Sequence, residues 1–134
     1  MSSPPVVLDS SVILDALVGS GAAGVTARRR IQVVDLVAAP HLLDVEVSSV
    51  LRRLLLAERV SPAVARRARA SFADLPVDHY PFAPFADRVW ELRDQVTAYD
   101  GWWVALAEEL GAELVTTDQR LQRATLPRCA VVAP

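Results

Sequence analysis

Two short apolar runs in this chain end in an acid that lies next to hydroxyl residues. VVLDSS, residues 6–11, places Asp9 after a β-branched run, and LVTTD, residues 114–118, places Asp118 after another. Such runs predict buried strands. A carboxylate at the end of a buried strand needs a partner, because an isolated buried charge is costly. One acid of this kind is an accident of sequence, whereas two suggest a site.

The segments that carry these acids belong to an alternation of short strands and amphipathic helices. The predicted strands cover residues 5–9, 35–40, 77–81, 112–117 and 129–133, and the predicted helices cover residues 11–21, 24–32, 41–60, 61–75, 84–96 and 98–110. This order predicts a three-layer α/β/α fold with a central, mainly parallel sheet, in a single domain over residues 1–134. Ligands bind outside the carboxyl ends of the strands in such sheets, where Asp9 and Asp118 are expected to lie.

Two further acids lie near the starts of predicted helices. Glu46 is in the first turns of the helix over residues 41–60, and Asp100 is near the start of the helix over residues 98–110. Helix starts that follow strands face the same edge as the strand carboxyl ends, so we expect four acids to converge there. Each acid also has a simpler reading as a cap or as a complement to a helix dipole. Their joint convergence is what favours a site.

Crowded carboxylates need an explanation in terms of charge. Two unit charges about 4 Å apart repel by roughly 4 kcal/mol at an effective dielectric near 20. Such acids either take up protons or enclose a cation. Oxygen ligands without His or Cys favour a hard cation, here Mg²⁺ or Mn²⁺. A metal in such a cluster binds phosphate, activates water and stabilises a leaving oxygen, so phosphodiester hydrolysis is the natural reaction.

Four stretches of the chain together resemble PIN-domain nucleases, and above all the VapC-type toxins of bacterial toxin–antitoxin pairs. They are VVLDSSVIL, PHLLDVEVSSVLRRL, YDGWWVALAEELGAELVTTD and the final strand, and the likeness covers nearly the whole chain. The resemblance implies a metal-dependent endoribonuclease that is commonly dimeric and is held inactive by a VapB-type antitoxin. The chain departs from the usual pattern at residues 101–102, where Gly-Trp replaces a small residue followed by an aliphatic one.

The resemblance also implies roles for individual residues. The acidic quartet that would bind the metal and carry catalysis is Asp9, Glu46, Asp100 and Asp118. Ser11 and Thr116 match hydroxyl positions that hydrogen-bond these acids or water on the metal.

Two other enzyme classes with acids at parallel strand ends are disfavoured by residues of this chain. A phosphoacceptor receiver depends on a lysine, and the chain contains none. A haloacid-dehalogenase phosphatase needs an Asp two residues after its nucleophile, where this chain has Ser11. A DNA- or structure-specific nuclease with the same acids and a non-catalytic binding module stay open. The compact chain, without added arch or clamp segments, favours RNA.

The composition predicts a cytoplasmic protein with an interface. Hydrophobic residues make up 52% of the chain, so we expect part of the apolar excess to form a homodimer contact or an antitoxin groove. The chain has one cysteine, Cys129, so an internal disulfide is impossible. It shows neither a signal-peptide pattern nor an apolar run of about 18 residues, so no membrane segment is expected.

The basic residues are more informative than the net charge of −2. All 14 are arginines, and eight of them cluster at residues 28–30, 52–53 and 66–69. The arginine fork suits phosphate, although a solvated helix face is the simpler reading of any one cluster. Arg88 and Arg93 are tentative substrate contacts, for which solvated or ion-paired roles are favoured.

Overall fold

The computed structural model describes residues 5–134, and its strands run parallel to their neighbours. They are β1 (Val6–Leu8), β2 (Val37–Pro40), β3 (Val77–Tyr80), β4 (Glu113–Val115) and β5 (Val131–Val132). One sheet has the order β1-β4-β5, and β2 pairs with β3 in a second sheet. Leu8 lies opposite Val115, so the carboxyl ends of β1 and β4 are side by side. The predicted α/β fold with parallel strands is therefore confirmed.

The two sheets replace the single central sheet expected from the sequence. β2 lies beside β1, but within residues 5–134 no hydrogen-bonded ladder joins them. Pro40 ends β2 and has no N–H to donate to a second neighbour, a property typical of edge positions. The pairing of β2 with β3 continues past Pro40, because the His41 N–H donates to the Tyr80 carbonyl at 3.1 Å.

Seven α-helices connect the strands of the described chain. They are α1 (Ser10–Val18), α2 (Gly21–Gln32), α3 (Leu42–Leu56), α4 (Pro62–Asp74), α5 (Ala86–Glu91), α6 (Ala98–Glu109) and α7 (Gln119–Arg123). α6 packs across β1, β2 and β4, while α1 packs against α2, α3 and α4. Leu8, Ile13, Trp103 and Leu114 are among the fully buried side chains of the resulting core. Across residues 5–134, no single helix is long and apolar enough to span a membrane; α1 and α2 pass that test only as a pair bent by 114°.

Side-chain caps begin several of these helices. Asp9 caps α1, and Asp118 caps α7. Ser61 caps α4 through its hydroxyl, which accepts from the Val64 N–H at 3.1 Å, and Pro62 follows at the first helical position. Thr97 caps α6. Each cap satisfies backbone N–H groups that have no partner within the helix.

The helix predicted over residues 84–96 is broken into shorter pieces. A 3₁₀ turn at Ala83–Phe85 precedes α5, and tight turns follow α5. The Gln95 side chain bonds the backbone of Thr125 and Leu126, and it also bonds the Thr125 hydroxyl. These contacts hold the chain against the C-terminal segment, so local helical spacing is overridden there by tertiary bonding.

The helix predicted to run to residue 60 ends at Leu56. Glu58 adopts a left-handed conformation with φ of 54°. The Glu58 N–H donates to the Leu55 carbonyl at 3.1 Å, and the Arg59 N–H donates to the Leu54 carbonyl at 2.9 Å. This pair of bonds is a Schellman motif, which usually has glycine at the left-handed position.

Candidate metal and catalytic site

Asp9 is the most enclosed acid of the predicted quartet, with 7% of its surface exposed. Its Oδ1 accepts from the Ser10 N–H at 2.9 Å. Its Oδ2 accepts from the Ser11 hydroxyl at 3.0 Å and from the Thr116 hydroxyl at 2.8 Å. Three donors thus surround the Asp9 carboxylate. Asp9 directly follows β1 at the edge of the sheet and is the N-cap of α1.

The hydroxyls before Asp118 connect it to Asp9. The fully buried Thr116 hydroxyl donates to Asp9 and accepts from the Asp118 N–H at 3.1 Å. Asp118 Oδ1 accepts from the Arg120 N–H at 2.9 Å and lies 3.5 Å from the Leu121 N. The strand therefore ends in an acid because that acid starts α7 and lies beside Asp9.

Asp100 and Glu46 reach the site from α6 and α3. The Thr97 hydroxyl accepts from the Asp100 N–H at 3.1 Å, so Thr97 is the N-cap and the Asp100 carboxylate is not used as the cap. Glu46 Oε2 accepts from the Ser10 hydroxyl at 3.1 Å, and its Oε1 accepts from the Trp103 indole N–H at 3.1 Å.

Burial and neighbouring acids raise the pKa values of Asp9, Glu46 and Asp100. Burial raises the pKa of Asp9 and is opposed by its three hydrogen bonds, while the charge of Asp118 raises it further. Burial and the charges of Asp9 and Asp100 raise the pKa of Glu46, against the hydrogen bonds from Trp103 and Ser10. Burial and the charges of Asp9 and Asp118 raise the pKa of Asp100. The structure thus brings the predicted quartet into one electrostatic neighbourhood.

The arrangement fits a hard cation in its chemistry but is not a closed coordination cage. The donor set consists of carboxylate oxygens, which suit Mg²⁺ or Mn²⁺. As the side chains stand, however, no three His, Cys, Asp or Glu residues within 5–134 are grouped closely enough to hold a metal ion. Repulsion favours separated carboxylates when no cation offsets their charge. A bound ion would therefore require the carboxylates to turn towards one another.

Two residues that contact Glu46 were not predicted from the sequence. Ser10 follows Asp9 in the chain, and Trp103 lies among the apolar residues of α6. Trp103 is indeed buried, with 1% of its surface exposed. The available signal was chemical, since a buried indole N–H usually finds an acceptor. Sequence spacing alone does not show that the acceptor is Glu46.

Arg88, a tentative substrate contact, is ion-paired within the protein. Its guanidinium bonds both carboxylate oxygens of Glu108 at 2.8 and 3.0 Å, and it also bonds Glu91 and the Leu126 carbonyl at 3.0 Å. These bonds tie α5 to α6 and to the C-terminal segment, and those to Glu108 and Glu91 raise the pKa of Arg88. The guanidinium is thus committed to protein partners.

Several residues outside the quartet have identifiable neighbours. Arg93 lies over the Trp90 ring at 4.7 Å and bonds the Trp90 carbonyl at 2.9 Å. Asp44 pairs with His79 at 3.0 Å. Trp102 packs edge to face against Phe82, with ring centroids 5.2 Å apart. Cys129 is partly buried, which raises the pKa of its thiol to about 11.

Comparison with known proteins identifies the family of this chain. A family model described as the PIN domain matches residues 6–126. The chain belongs to the PIN domain family. The family predicted from the sequence is therefore confirmed, and Asp9 and Asp118 of this PIN domain follow the neighbouring parallel strands β1 and β4.

Curated relatives of this PIN domain are VapC ribonucleases. It is 38% identical over 126 residues to Ribonuclease VapC9 of Mycobacterium tuberculosis (strain ATCC 25618 / H37Rv), covering 94% of this chain and 95% of that protein. It is also 38% identical over 126 residues to Ribonuclease VapC1 of the same strain, covering 93% and 94%. The crystal structure of PAE2754 from Pyrobaculum aerophilum superposes with a TM-score of 0.70 over 94% of this chain and 81% of that one. At 21% identity, that match supports the fold alone.

Proposed function

We propose that this PIN domain is a metal-dependent endoribonuclease and the toxin of a type II toxin–antitoxin pair. One observation supports catalysis above the others: the four acids come from four separate segments, and burial and the charges of other acids in the quartet raise the pKa values of three of them, Asp9, Glu46 and Asp100. The similarity to VapC ribonucleases over nearly the whole chain supports RNA as the substrate and a VapB-type antitoxin as the partner.

The quartet would hold one or two divalent cations, Mg²⁺ or Mn²⁺. When bound, such an ion supplies an activated water and stabilises charge on the departing oxygen. Asp9, held by Ser11 and Thr116, contributes a carboxylate of fixed orientation. Asp118 uses Oδ1 as a helix cap. The products expected for this family carry 5′-phosphate and 3′-hydroxyl ends.

Arginines outside the site supply contacts to the RNA backbone in this proposal. Residues 52–69, from the end of α3 through α4, carry six arginines against one glutamate, a net charge of +5. All six are exposed, and none forms a salt bridge within the described part of the chain. A polyanion that approaches the acidic quartet would gain favourable interactions here.

The proposal includes a homodimer in the cytoplasm. Large apolar side chains with at least half of their surface exposed support an interface; they are Val33, Leu36, Val45, Leu56, Trp90 and Tyr99. Light scattering at micromolar concentration should give twice the chain mass of 14.6 kDa. A monomer would contradict the dimer but not the nuclease.

A cleavage assay on purified protein tests the function. Single-stranded RNA and DNA of the same sequence are incubated with Mg²⁺, with Mn²⁺ and with EDTA. We expect cleavage of RNA with either metal and none with EDTA. Preferential cleavage of DNA would indicate a DNA nuclease, and binding of RNA without cleavage under any condition would indicate a non-catalytic module.

A further inference from the structure

We propose that Trp103 is a positioning residue, whose indole N–H holds the Glu46 carboxylate in the orientation that the acidic site requires. This inference rests on the proposed function, because it concerns how one acid of that site is held. It assigns a polar role to a tryptophan that otherwise belongs to the core.

The contact joins two elements that each carry an acid of the site. Trp103 Nε1 donates to Glu46 Oε1 at 3.1 Å, across 57 residues of sequence. Trp103 lies three residues after Asp100 on α6, so the two side chains occupy neighbouring positions on one helix face. α6 therefore presents its own acid together with a donor for the acid of α3.

The second oxygen of Glu46 is held from α1. Ser10, which has 7% of its surface exposed, donates from its hydroxyl to Glu46 Oε2 at 3.1 Å. Ser10 directly follows Asp9, whose carboxylate its N–H also contacts at 2.9 Å. Both oxygens of Glu46 are thus bonded to segments that carry other acids of the site.

These donors oppose the repulsion that would move Glu46 away. The charges of Asp9 and Asp100 disfavour the ionised form of Glu46, as does its burial. A glutamate has three rotatable bonds and would otherwise swing towards solvent. Hydrogen bonds to the charged form keep the carboxylate in place, as outer-shell partners do at metal sites.

The neighbouring tryptophan provides a matched control. Trp102 is also on α6, but it packs against Phe82, and its Nε1 is buried without a hydrogen-bond partner among residues 5–134. Replacing either indole by phenylalanine removes an N–H and keeps an aromatic ring. If the tryptophans only fill space in the core, Trp102→Phe and Trp103→Phe should have similar effects on Mn²⁺ binding and cleavage. If Trp103 positions Glu46, only Trp103→Phe should impair them.

The contact itself can be tested without metal by NMR of the indole N–H groups in EDTA. The chain has three tryptophans, so three signals are expected. Trp90→Phe and Trp102→Phe each remove one signal, which assigns the third to Trp103. We expect Glu46→Gln to shift the Trp103 signal more than the other two and to speed its exchange with solvent. An unchanged Trp103 signal in Glu46→Gln would overturn the proposal.

The positioning role is tested by Mn²⁺ calorimetry and by RNA cleavage kinetics. We expect Trp103→Phe to weaken Mn²⁺ binding by about 10-fold or more. The same change should lower kcat and leave KM for RNA unchanged. Trp102→Phe should stay within about twofold of wild type in Mn²⁺ affinity, kcat and KM. Wild-type values of Mn²⁺ affinity and kcat in folded Trp103→Phe would overturn the role. If Trp103→Phe does not fold, Ser10→Ala removes the other hydrogen-bond donor to Glu46 and tests whether holding that carboxylate matters. The NMR experiment with Glu46→Gln does not need the Trp103 variant and still tests the contact.

The outcomes separate this inference from the proposed function. Wild-type protein that neither binds Mn²⁺ nor cleaves RNA contradicts the proposed function, whatever the NMR result. If wild-type protein binds Mn²⁺ and cleaves RNA, but the Trp103 indole signal does not change in Glu46→Gln, only the positioning role is contradicted.

Discussion

At the scale of single residues, Thr116 connects two acids of the site. Its buried hydroxyl donates to Asp9 at 2.8 Å and accepts from the Asp118 N–H at 3.1 Å. Thr116→Val keeps the shape of the side chain but leaves the buried Asp9 carboxylate and the partly buried Asp118 N–H without this partner. We expect a loss of about 1–3 kcal/mol in the free energy of unfolding, measured by urea denaturation. Thr116→Ser retains the hydroxyl and should lose clearly less; equal losses would contradict the importance of the hydrogen bonds.

The charge of Asp100 gives the metal-free protein a defined dependence on pH. Burial and the charges of Asp9 and Asp118 raise its pKa above the ordinary 3.8. Between 3.8 and the raised value, the folded state keeps a proton that the unfolded state has released. Ionisation of Asp100 therefore lowers the free energy of unfolding as pH rises through this window.

Asp100→Asn removes that contribution. We compare the Tm of Asp100→Asn with that of wild type in EDTA. The difference, variant minus wild type, should increase as the pH is raised from below 3.8 to neutrality. A gain of about 1 kcal/mol would raise the Tm by roughly 3–5 °C for a domain of this size. Asp94→Asn, at an exposed position before α6, is the matched control. A Tm difference that falls as pH rises would show that the carboxylates do not repel one another.

At the scale of elements, the end of α3 contains a residue in an unfavourable conformation. Glu58 occupies the left-handed position of the Schellman motif with φ of 54°. Glycine carries no Cβ penalty there, so Glu58→Gly should stabilise the protein by about 0.5–1 kcal/mol relative to Glu58→Ala. Thermal melts of both variants measure the difference. Greater stability of the alanine variant would show that side-chain contacts, and not the backbone, decide this position.

The elements differ in how well the sequence predicts them. The predicted helix over residues 61–75 matches α4 closely, because Ser61 and Pro62 are a local start signal that tertiary contacts do not override. α7 was missed because its five residues are too few for a periodic pattern. The helix over residues 84–96 was overextended because the bonds of Gln95 to the C-terminal segment are not visible in local spacing.

In the acidic site, too, local sequence signals predict some features, whereas features that depend on tertiary packing cannot be predicted. Asp9 and Asp118 could be predicted because strand ends of a parallel sheet share an edge. The contacts of Glu46 with Ser10 and Trp103 could not, because they depend on how α1, α3 and α6 pack. The separation of the carboxylate oxygens is likewise a property of rotamers, which sequence spacing does not determine, so the predicted convergence is tighter than residues 5–134 display.

At the scale of the whole molecule, charge is distributed unevenly. The chain carries −2 overall, while residues 52–69 carry +5. If this segment contacts RNA, replacing Arg66 and Arg67 by serine should reduce the slope of log K against log salt concentration. The expected reduction is about 0.7 for each lost phosphate contact on a single strand. Filter binding in EDTA measures affinity without cleavage.

A single change elsewhere serves as the control for that experiment. Arg29→Ser, on α2, removes an exposed arginine from a different cluster. It should leave the slope unchanged. An unchanged slope in the variant with Arg66 and Arg67 replaced would show that the α3–α4 arginines do not contact RNA. The same conclusion would follow if Arg29→Ser changed the slope as much for one arginine as the double variant does for each of its two.

Mn²⁺ binding to wild type and Asp100→Asn, followed by titration calorimetry, tests most directly whether the four carboxylates act together on a divalent cation. We predict saturable binding of one or two ions to wild type and at least a 10-fold weaker affinity in Asp100→Asn, while Asp94→Asn binds as wild type does. Equal Mn²⁺ affinity in wild type and Asp100→Asn would contradict the account.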